Sequence, residues 1–377
     1  MKETTMIYLD NAATTRPNSG AVSRANEFIT ENYYNPSARY RGGDEAARAL
    51  KAARQAVLAP VAGDKFDLIF TSGGTEADNH AVFSSARRGN AVTTAGEHAA
   101  VYESFVQLKS RGVEPRFATL NQDGSVNEDA LLELVDEKTS FVSVVHVNNE
   151  TGAVNDIFSL ARRVKEKNPR VVFHSDGVQA YGKIPVRLTG DIDLYSISAH
   201  KIGALKGTGA LIKRKKCSLL PFLYGGGQEG ALRSGTENTF GIACFRFAAE
   251  EKFQMLVADK ERLKSYREQL WSLLEKPLFE RISPENGSPY ILCVSASGLR
   301  GEVLQRMLWD RGVVVGTGSA CSSKKPHSRV IEACGYGAKT LDGVLRVSFS
   351  SQTSAGEIER AAFEMNAAAR EMRERLN

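Results

Sequence analysis

The chain of 377 residues lacks any apolar stretch long enough to span a bilayer. It also lacks an apolar signal region, because residues 1–5 lead directly into a short strand-like run at residues 6–9. We therefore expect a cytoplasmic protein with no membrane partner. The net charge of +5 is spread along the sequence and forms no long basic block. It gives no support for direct nucleic-acid binding.

Cysteine is scarce and its spacing is wide. The five cysteines are Cys217, Cys244, Cys293, Cys321 and Cys334. They form no CxxC pair, which argues against a zinc ribbon or a thioredoxin-like motif. In a reducing compartment we expect all five to be free thiols and no metal to be bound by them.

Phosphate-binding loops of the common kinds are also missing. No GxxxxGK[ST] sequence occurs, so a P-loop is excluded. Residues 225–230 fit GxGxxG formally, but they run into a second glycine-containing stretch where a helix should begin. A dinucleotide-binding fingerprint is therefore not supported.

Strand-like and helix-like segments do alternate between residues 65 and 215, which predicts a mostly parallel sheet covered on both faces. After Phe240 a long helical pattern runs to about Leu274, followed by shorter elements and a helix from Ser354. We predict an α/β fold with a large domain over residues 16–255. Residues 1–15 and 256–377 should form a smaller α+β domain that carries Cys321.

Polar residues collect where the predicted strands of the large domain end. In open parallel sheets, ligands bind beyond the carboxyl ends of the strands. These ends supply an amide, a carboxylate, a lysine and a glycine-rich helix start, in the segments 148–150, 174–179, 198–201 and 73–75. A helix start suits a phosphate, a carboxylate can hold a ring nitrogen protonated, and a lysine can form a Schiff base.

Cys321 has surroundings that differ from those of the other cysteines. Small residues precede it and Lys324 and Lys325 follow it, which predicts an exposed, electropositive loop. Nearby positive charge favours the thiolate, the nucleophilic form of cysteine. An incidental loop thiol is the alternative interpretation.

Six segments, in this order along the chain, resemble the cysteine desulfurases of the NifS/IscS type within the class V aminotransferases. They are LDNAATT (9–15), TSGGTE (71–76), HVNNE (146–150), SAHK (198–201), RSGT (233–236) and GSAC (318–321). The resemblance covers nearly the whole chain. It implies fold type I of the pyridoxal-phosphate (PLP) enzymes, a homodimer, and conversion of L-cysteine to L-alanine with transfer of sulfur to Cys321 as a persulfide.

The resemblance also implies roles for individual residues. Lys201 should bind the cofactor covalently and remove the substrate's α proton, with His98 stacked on the ring as a proton carrier. Asp176 should face the pyridinium nitrogen, and Asn149 and Gln179 the phenolic oxygen. The implied phosphate contacts are Gly74, Thr75, Ser198 and His200, with Thr236 donated by the other subunit. Arg346 should hold the substrate carboxylate, and Asn35 and Asn149 are further implied substrate contacts.

Three positions depart from the family pattern. Tyr40 stands where a histidine is usual, Gly177 where alanine is common, and no proline precedes Lys206. None of these departures removes a charged or nucleophilic group. They bear on the detail of the substrate pocket and leave the expected reaction class unchanged.

Other functions remain open at this point. A selenocysteine lyase, or another class V enzyme such as an aminotransferase, would keep the cofactor. A catalytically inactive sulfur-relay scaffold would keep only the fold. The sulfur acceptor is a further expectation, either a tRNA-thiolating enzyme of the ThiI type or an Fe-S cluster scaffold.

Overall fold

The computed structural model describes residues 6–318 and 327–376. Twelve strands lie within these ranges. They are β1 (Ile7–Leu9), β2 (Phe66–Thr71), β3 (Asn90–Thr94), β4 (Glu114–Ala118), β5 (Thr139–Ser143), β6 (Val172–Asp176), β7 (Leu194–Ser198), β8 (Gly209–Arg214), β9 (Glu280–Arg281), β10 (Ile291–Ser295), β11 (Val313–Val315) and β12 (Val344–Ser348).

The same ranges contain twelve α-helices. They are α1 (Ser19–Glu31), α2 (Arg41–Leu58), α3 (Gly74–Ser85), α4 (Ala99–Leu108), α5 (Glu128–Leu134), α6 (Ile157–Lys167), α7 (Thr239–Gln254), α8 (Leu256–Leu273), α9 (Gly301–Asp310), α10 (Arg329–Ala333), α11 (Ala338–Asp342) and α12 (Ala355–Glu374).

The main sheet has seven strands in the order β2-β8-β7-β6-β5-β3-β4. Only β8 runs antiparallel to its neighbours, so β2 points the same way as the five parallel strands. The carboxyl ends of β2, β3, β5, β6 and β7 therefore meet at one edge of the sheet. That edge is where ligands bind in open α/β folds.

Helices cover both faces of this sheet, and its strands are therefore buried on both sides. One core joins the sheet to α1, α2, α6 and α7, and a second joins it to α3 and α4. Helix α6 shows the local reason. Asp156 accepts a hydrogen bond from the Ser159 backbone N–H, and the apolar residues one turn apart face the sheet.

A separate hydrophobic core is built from the first residues of the chain and from its C-terminal third. It joins β1, β10, β11 and β12 to α8, α9 and α12. Strands β12, β10 and β9 form an antiparallel sheet, while β1 pairs with β11 in parallel. Helix α12 begins with a capping box between Ser354 and Glu357. The boundaries expected at residues 15/16 and 255/256 stay a prediction.

The long helical pattern predicted from Phe240 to Leu274 is wrong in one respect, because the chain forms two helices. The break falls at Met255, which ends α7 and begins α8. The apolar run at residues 141–147 predicts a single strand, but β5 ends early, at Ser143. Beyond it, Val147 bridges Val154 and the Asn148 N–H donates to the Ala153 carbonyl, which turns the chain back on itself.

No helix among the described residues combines the length and apolar character needed to cross a membrane.

Candidate active site

A cavity of about 680 Å³ opens at the carboxyl edge of the main sheet. Its wall includes ten of the predicted site residues: Gly74, Thr75, His98, Asn149, Asp176, Gln179, Ser198, His200, Lys201 and Arg346. They come from five different strand ends and from β12, which belongs to the second core. Residues far apart in sequence thus share one site because the parallel strands end at a common edge.

Asp176 is the last residue of β6 and is 4% exposed. One of its oxygens accepts a hydrogen bond from the Val178 N–H at 2.9 Å. Burial raises the pKa of Asp176 to about 6. An oxygen of Asp78 and a ring nitrogen of His98 lie within 4.8 Å of an Asp176 oxygen and of each other. Two carboxyls and an imidazole therefore meet at the cavity wall.

Lys201 follows β7 in a 3₁₀ turn at Ala199–Lys201. Its ammonium group donates to the Ala12 and Ala13 carbonyl oxygens at 2.6 and 2.7 Å. The Gln179 amide also donates to the Ala12 carbonyl, at 2.8 Å. Lys183, which is buried, donates to the Gln179 side-chain oxygen at 2.6 Å. This bond fixes the orientation of the Gln179 amide.

The N-terminus of α3 forms another corner of the cavity. Gly74 is its first residue and packs closely, since a Cβ there would lie 2.8 Å from Val178 Cγ2. Thr75, Ser198 and His200 line the same cavity. The His200 ring nitrogen Nδ1 lies 3.0 Å from the Thr14 hydroxyl. The first backbone N–H groups of a helix have no intrahelical partner, so this corner suits a phosphate.

Arg346, on β12, is 6% exposed. It donates to the Asn149 carbonyl at 2.8 Å and pairs with Asp10 at 2.9 Å. Gly316 makes room for this pair, since a Cβ there would lie 2.6 Å from the Asp10 carboxylate. The guanidinium group is thereby held at the cavity wall.

Two further carboxyl groups line the cavity, and their environments keep them partly protonated. Glu97 is fully buried, and burial raises its pKa to about 8. One Glu97 oxygen accepts from the Thr94 hydroxyl and the Val145 N–H, both at 2.9 Å. Burial raises the pKa of Glu150 to about 7, and its carboxyl accepts from the Ser328 hydroxyl at 2.5 Å.

Two predicted residues that the structure describes, Asn35 and Thr236, are not part of this cavity wall. Cys321 lies outside the described residues. Asn35 is exposed, and its side-chain oxygen accepts a hydrogen bond from the Ser37 N–H at 2.9 Å. Thr236 is exposed too, three residues after Arg233, which pairs with Glu76 of α3 at 2.8 Å. A role for Thr236 in a partner subunit stays a prediction.

Sequence reasoning missed six charged residues. Five of them line the cavity, namely Asp78, Glu97, Glu103, Glu150 and Arg329, and the sixth, Lys183, contacts Gln179 of the cavity wall. A signal existed for some of them. Asp78 is four residues after Gly74, which places both on one face of α3. Glu150 ends the HVNNE segment and Glu97 directly precedes His98, but neither was assigned a role. Arg329 gave no signal, because nothing in the sequence pairs α10 with the loop before α4.

The Gly177 departure has a structural reason. A Cβ on Gly177 would lie 1.9 Å from the Tyr195 ring. The Tyr195 hydroxyl lies 2.9 Å from a ring nitrogen of His146, and both residues are buried. Alanine at position 177 would displace this ring.

Comparison with known proteins identifies the class to which this fold and cavity belong. The profile of the family described as Aminotransferase class-V matches residues 7–361, and the chain belongs to that family. The chain is similar to a cysteine desulfurase of Nostoc sp., with 35% identity over 94% of this chain and 90% of the relative. It is also similar to the cysteine desulfurase IscS of Clostridium botulinum, with 32% identity over 94% and 91%.

Among solved structures, a NifS-like protein superposes with a TM-score of 0.90 at 32% identity. The match covers 96% of this chain and 99% of the other. The predicted resemblance to the NifS/IscS group is therefore confirmed, and so is the fold type I architecture.

Proposed function

We propose that the protein is a PLP-dependent cysteine desulfurase that converts L-cysteine to L-alanine and transfers the sulfur to Cys321. The observation that carries the proposal is the cavity wall, which brings together Lys201, Asp176, His98 and Arg346. Family membership and the printed names of the relatives support the same activity.

The donor set fits PLP. Buried polar atoms without a hydrogen-bond partner among the described residues include Asn149 Oδ1 and Ser198 Oγ, and both residues line the cavity. Gly74, Thr75, Ser198 and His200 would hold the phosphate, with Thr236 of a second subunit as a further contact in a homodimer. Asp176 would hold the ring nitrogen, Asn149 and Gln179 the phenolic oxygen, and Lys201 the aldehyde carbon. When bound, the group acts as an electron sink for the α-carbanion.

His98 is a neutral group at pH 7. Burial, followed by the positive charges of Lys201, Arg329 and Arg346, lowers its pKa to about 4. Its Nδ1 accepts the Ala100 backbone N–H at 3.1 Å, so the proton of the neutral ring is on Nε2. His98 can therefore donate a proton at Nε2 and take it back, which suits a proton carrier.

Arg346 orients the substrate through its α-carboxylate, and Asn35 is a further contact in the proposal. Lys201 removes the α proton as a neutral amine. The Cys321 thiolate attacks the substrate sulfur and breaks its bond to the β carbon, which takes up a proton. L-Cysteine and the Cys321 thiol thus give L-alanine and a Cys321 persulfide, with no external oxidant or reductant.

The persulfide needs an acceptor. Chemically this is a protein thiol, and we propose a tRNA-thiolating enzyme of the ThiI type or an Fe-S scaffold. A selenocysteine lyase is the second candidate function. The ratio of turnover on L-selenocysteine to turnover on L-cysteine separates the two.

Two variants test the proposed activity. Lys201→Ala should lose the visible absorbance of the bound cofactor and form no alanine from L-cysteine. Cys321→Ser should keep that absorbance yet release no sulfide with a thiol reductant. Cys217→Ser is a matched control, since Cys217 is buried away from the cavity. Full sulfide release by Cys321→Ser, or a colourless wild-type protein after incubation with PLP, would overturn the proposal.

A further inference from the structure

Arg329 contributes a second guanidinium group to the active-site cavity, on the side of His98. It is the first residue of α10. Its guanidinium donates to the backbone carbonyls of Ala95 and Glu97, in the loop that precedes His98. The Arg329 Cζ also lies 3.7 Å from the centroid of the Tyr102 ring. Two hydrogen bonds and a stacked ring therefore fix the position of this cation.

The two cavity arginines differ in how their charge is balanced. Arg346 pairs with Asp10 at 2.9 Å. For Arg329, no carboxylate oxygen of residues 6–318 or 327–376 lies within the 4.0 Å of an ion pair. Its two hydrogen-bond acceptors are neutral carbonyls. Arg329 is thus a partly buried cation without a close countercharge.

The acidic groups farther from Arg329 compensate it only weakly. Glu97 and Glu150 act on it at longer range, and burial raises their pKa values to about 8 and about 7. Near neutral pH both therefore hold a proton for much of the time. Glu103 is exposed, so water screens its charge. A cation in this state favours an anion that enters the cavity beside it.

We propose that Arg329 is a specificity-determining residue that binds the negatively charged side-chain end of the substrate. The inference rests on the proposed function, in which Arg346 binds the α-carboxylate. The class of substrate that matches two cations is an α-amino acid with an ionised sulfur or selenium side chain. Thiolate, selenolate and sulfinate groups all meet this condition.

The proposed role of Arg329 also affects how the product is released. L-Alanine has the same carboxylate as L-cysteine but no side-chain charge. Arg346 therefore binds substrate and product alike, whereas Arg329 distinguishes them. Loss of the side-chain anion during the reaction removes the contact with Arg329 and favours release of alanine.

Binding of two amino acids to the PLP-loaded enzyme tests this role. L-Cysteate carries a fixed negative charge in place of the thiol, and L-alanine carries none. Dissociation constants come from the change in visible absorbance, which does not depend on turnover. Arg329→Gln should weaken L-cysteate binding roughly 10- to 100-fold and leave L-alanine binding within about twofold. Arg170→Gln removes an exposed arginine outside the cavity and should change neither constant.

Arg329→Lys keeps the charge with fewer donors and serves if the glutamine variant does not fold. It should weaken L-cysteate binding by a few-fold and again leave L-alanine binding unchanged. Equal weakening of both ligands, or no change for L-cysteate, would overturn the role of Arg329. Failure of the proposed function is a different result, because the wild-type enzyme would then form no alanine from L-cysteine.

Discussion

Glu97 shows how a single buried carboxyl in the active site makes the stability of the folded protein depend on pH. Burial raises its pKa from 4.5 to about 8, so between these values the folded protein keeps a proton that the unfolded chain has released. The folded protein binds more protons, and stability must fall as the pH rises through this window. The stability attached to Glu97 is therefore fully present below pH 4.5 and lost by about pH 8.

Glu97→Gln should remove this pH-dependent loss. The Gln oxygen can replace the one that accepts from Thr94 and Val145, and the other Glu97 oxygen has no partner among the described residues. We expect little change in the free energy of unfolding at pH 5 and a gain of roughly 1–3 kcal/mol at pH 9. Urea denaturation of the cofactor-free protein measures it. Glu45→Gln, on the exposed face of α2, is the control. An equal effect at both pH values would contradict the assignment.

The sequence predicted individual site residues well where they follow a strand. Asp176, Ser198 and Lys201 were expected at the sheet edge because polar residues after apolar runs are easily recognised, and the structure places them there. Asp78 and Lys183 were missed because each lies on a helical or turn segment, where a buried charge looks like a surface residue. Only the tertiary fold shows that Lys183 faces Gln179.

Among the helices and strands, some features were predicted correctly from the sequence and others were missed. The helix-like pattern at residues 157–167 predicts a helix there, and α6 has these bounds. The break between α7 and α8 was missed because Met255 keeps helical backbone angles and no glycine or proline marks it. The reversal of β8 was also missed, since an apolar run does not encode strand direction.

At the scale of the element, the N-terminus of α3 must approach β7 closely to offer its N–H groups to a phosphate. Gly74→Ala should push this end outward, because the new Cβ would lie 2.8 Å from Val178 Cγ2. We expect the dissociation constant of PLP to rise roughly tenfold, which corresponds to about 1.4 kcal/mol. Titration of the cofactor-free protein with PLP, followed by visible absorbance, measures the change. Gly190→Ala, where a Cβ has nothing within 4 Å, should leave it unaltered. Unchanged affinity in Gly74→Ala would show that α3 tolerates the shift.

At the scale of the whole molecule, a buried polar cluster connects α7 of the main-sheet core to the second core. Lys252 donates to the Asp259 carboxylate at 2.9 Å and to the Tyr290 hydroxyl at 3.1 Å. Ser351 donates to Asp259 at 2.5 Å, and Arg262 pairs with it at 2.8 Å. Because Lys252 and Asp259 lie on either side of the break between α7 and α8, we propose that the domain boundary lies there, at residues 255/256.

The cluster predicts that the negative charge of Asp259 is required for the stability of the protein. Asp259 is 1% exposed and Lys252 is 9% exposed, so Asp259→Ala leaves a buried ammonium without its carboxylate. We expect the free energy of unfolding to fall by about 3–5 kcal/mol. Glu45→Ala, which breaks the exposed pair with Arg41, should cost less than about 1 kcal/mol. Chemical denaturation followed by fluorescence and by far-ultraviolet circular dichroism measures both.

The double variant Lys252→Met with Asp259→Leu separates charge from packing. Removing both charges removes the desolvation penalty together with the attraction, so this variant should recover much of the stability lost in Asp259→Ala. If the double variant were as unstable as the single one, the cluster would act through its hydrogen bonds to Tyr290 and Ser351 and not through the ion pair.

If fluorescence and circular dichroism gave separate unfolding transitions in Asp259→Ala but a single one in the wild type, the cluster would also be what makes the two cores unfold together. That result would follow because the contacts of Lys252 and Asp259 run from α7 to residues of the second core.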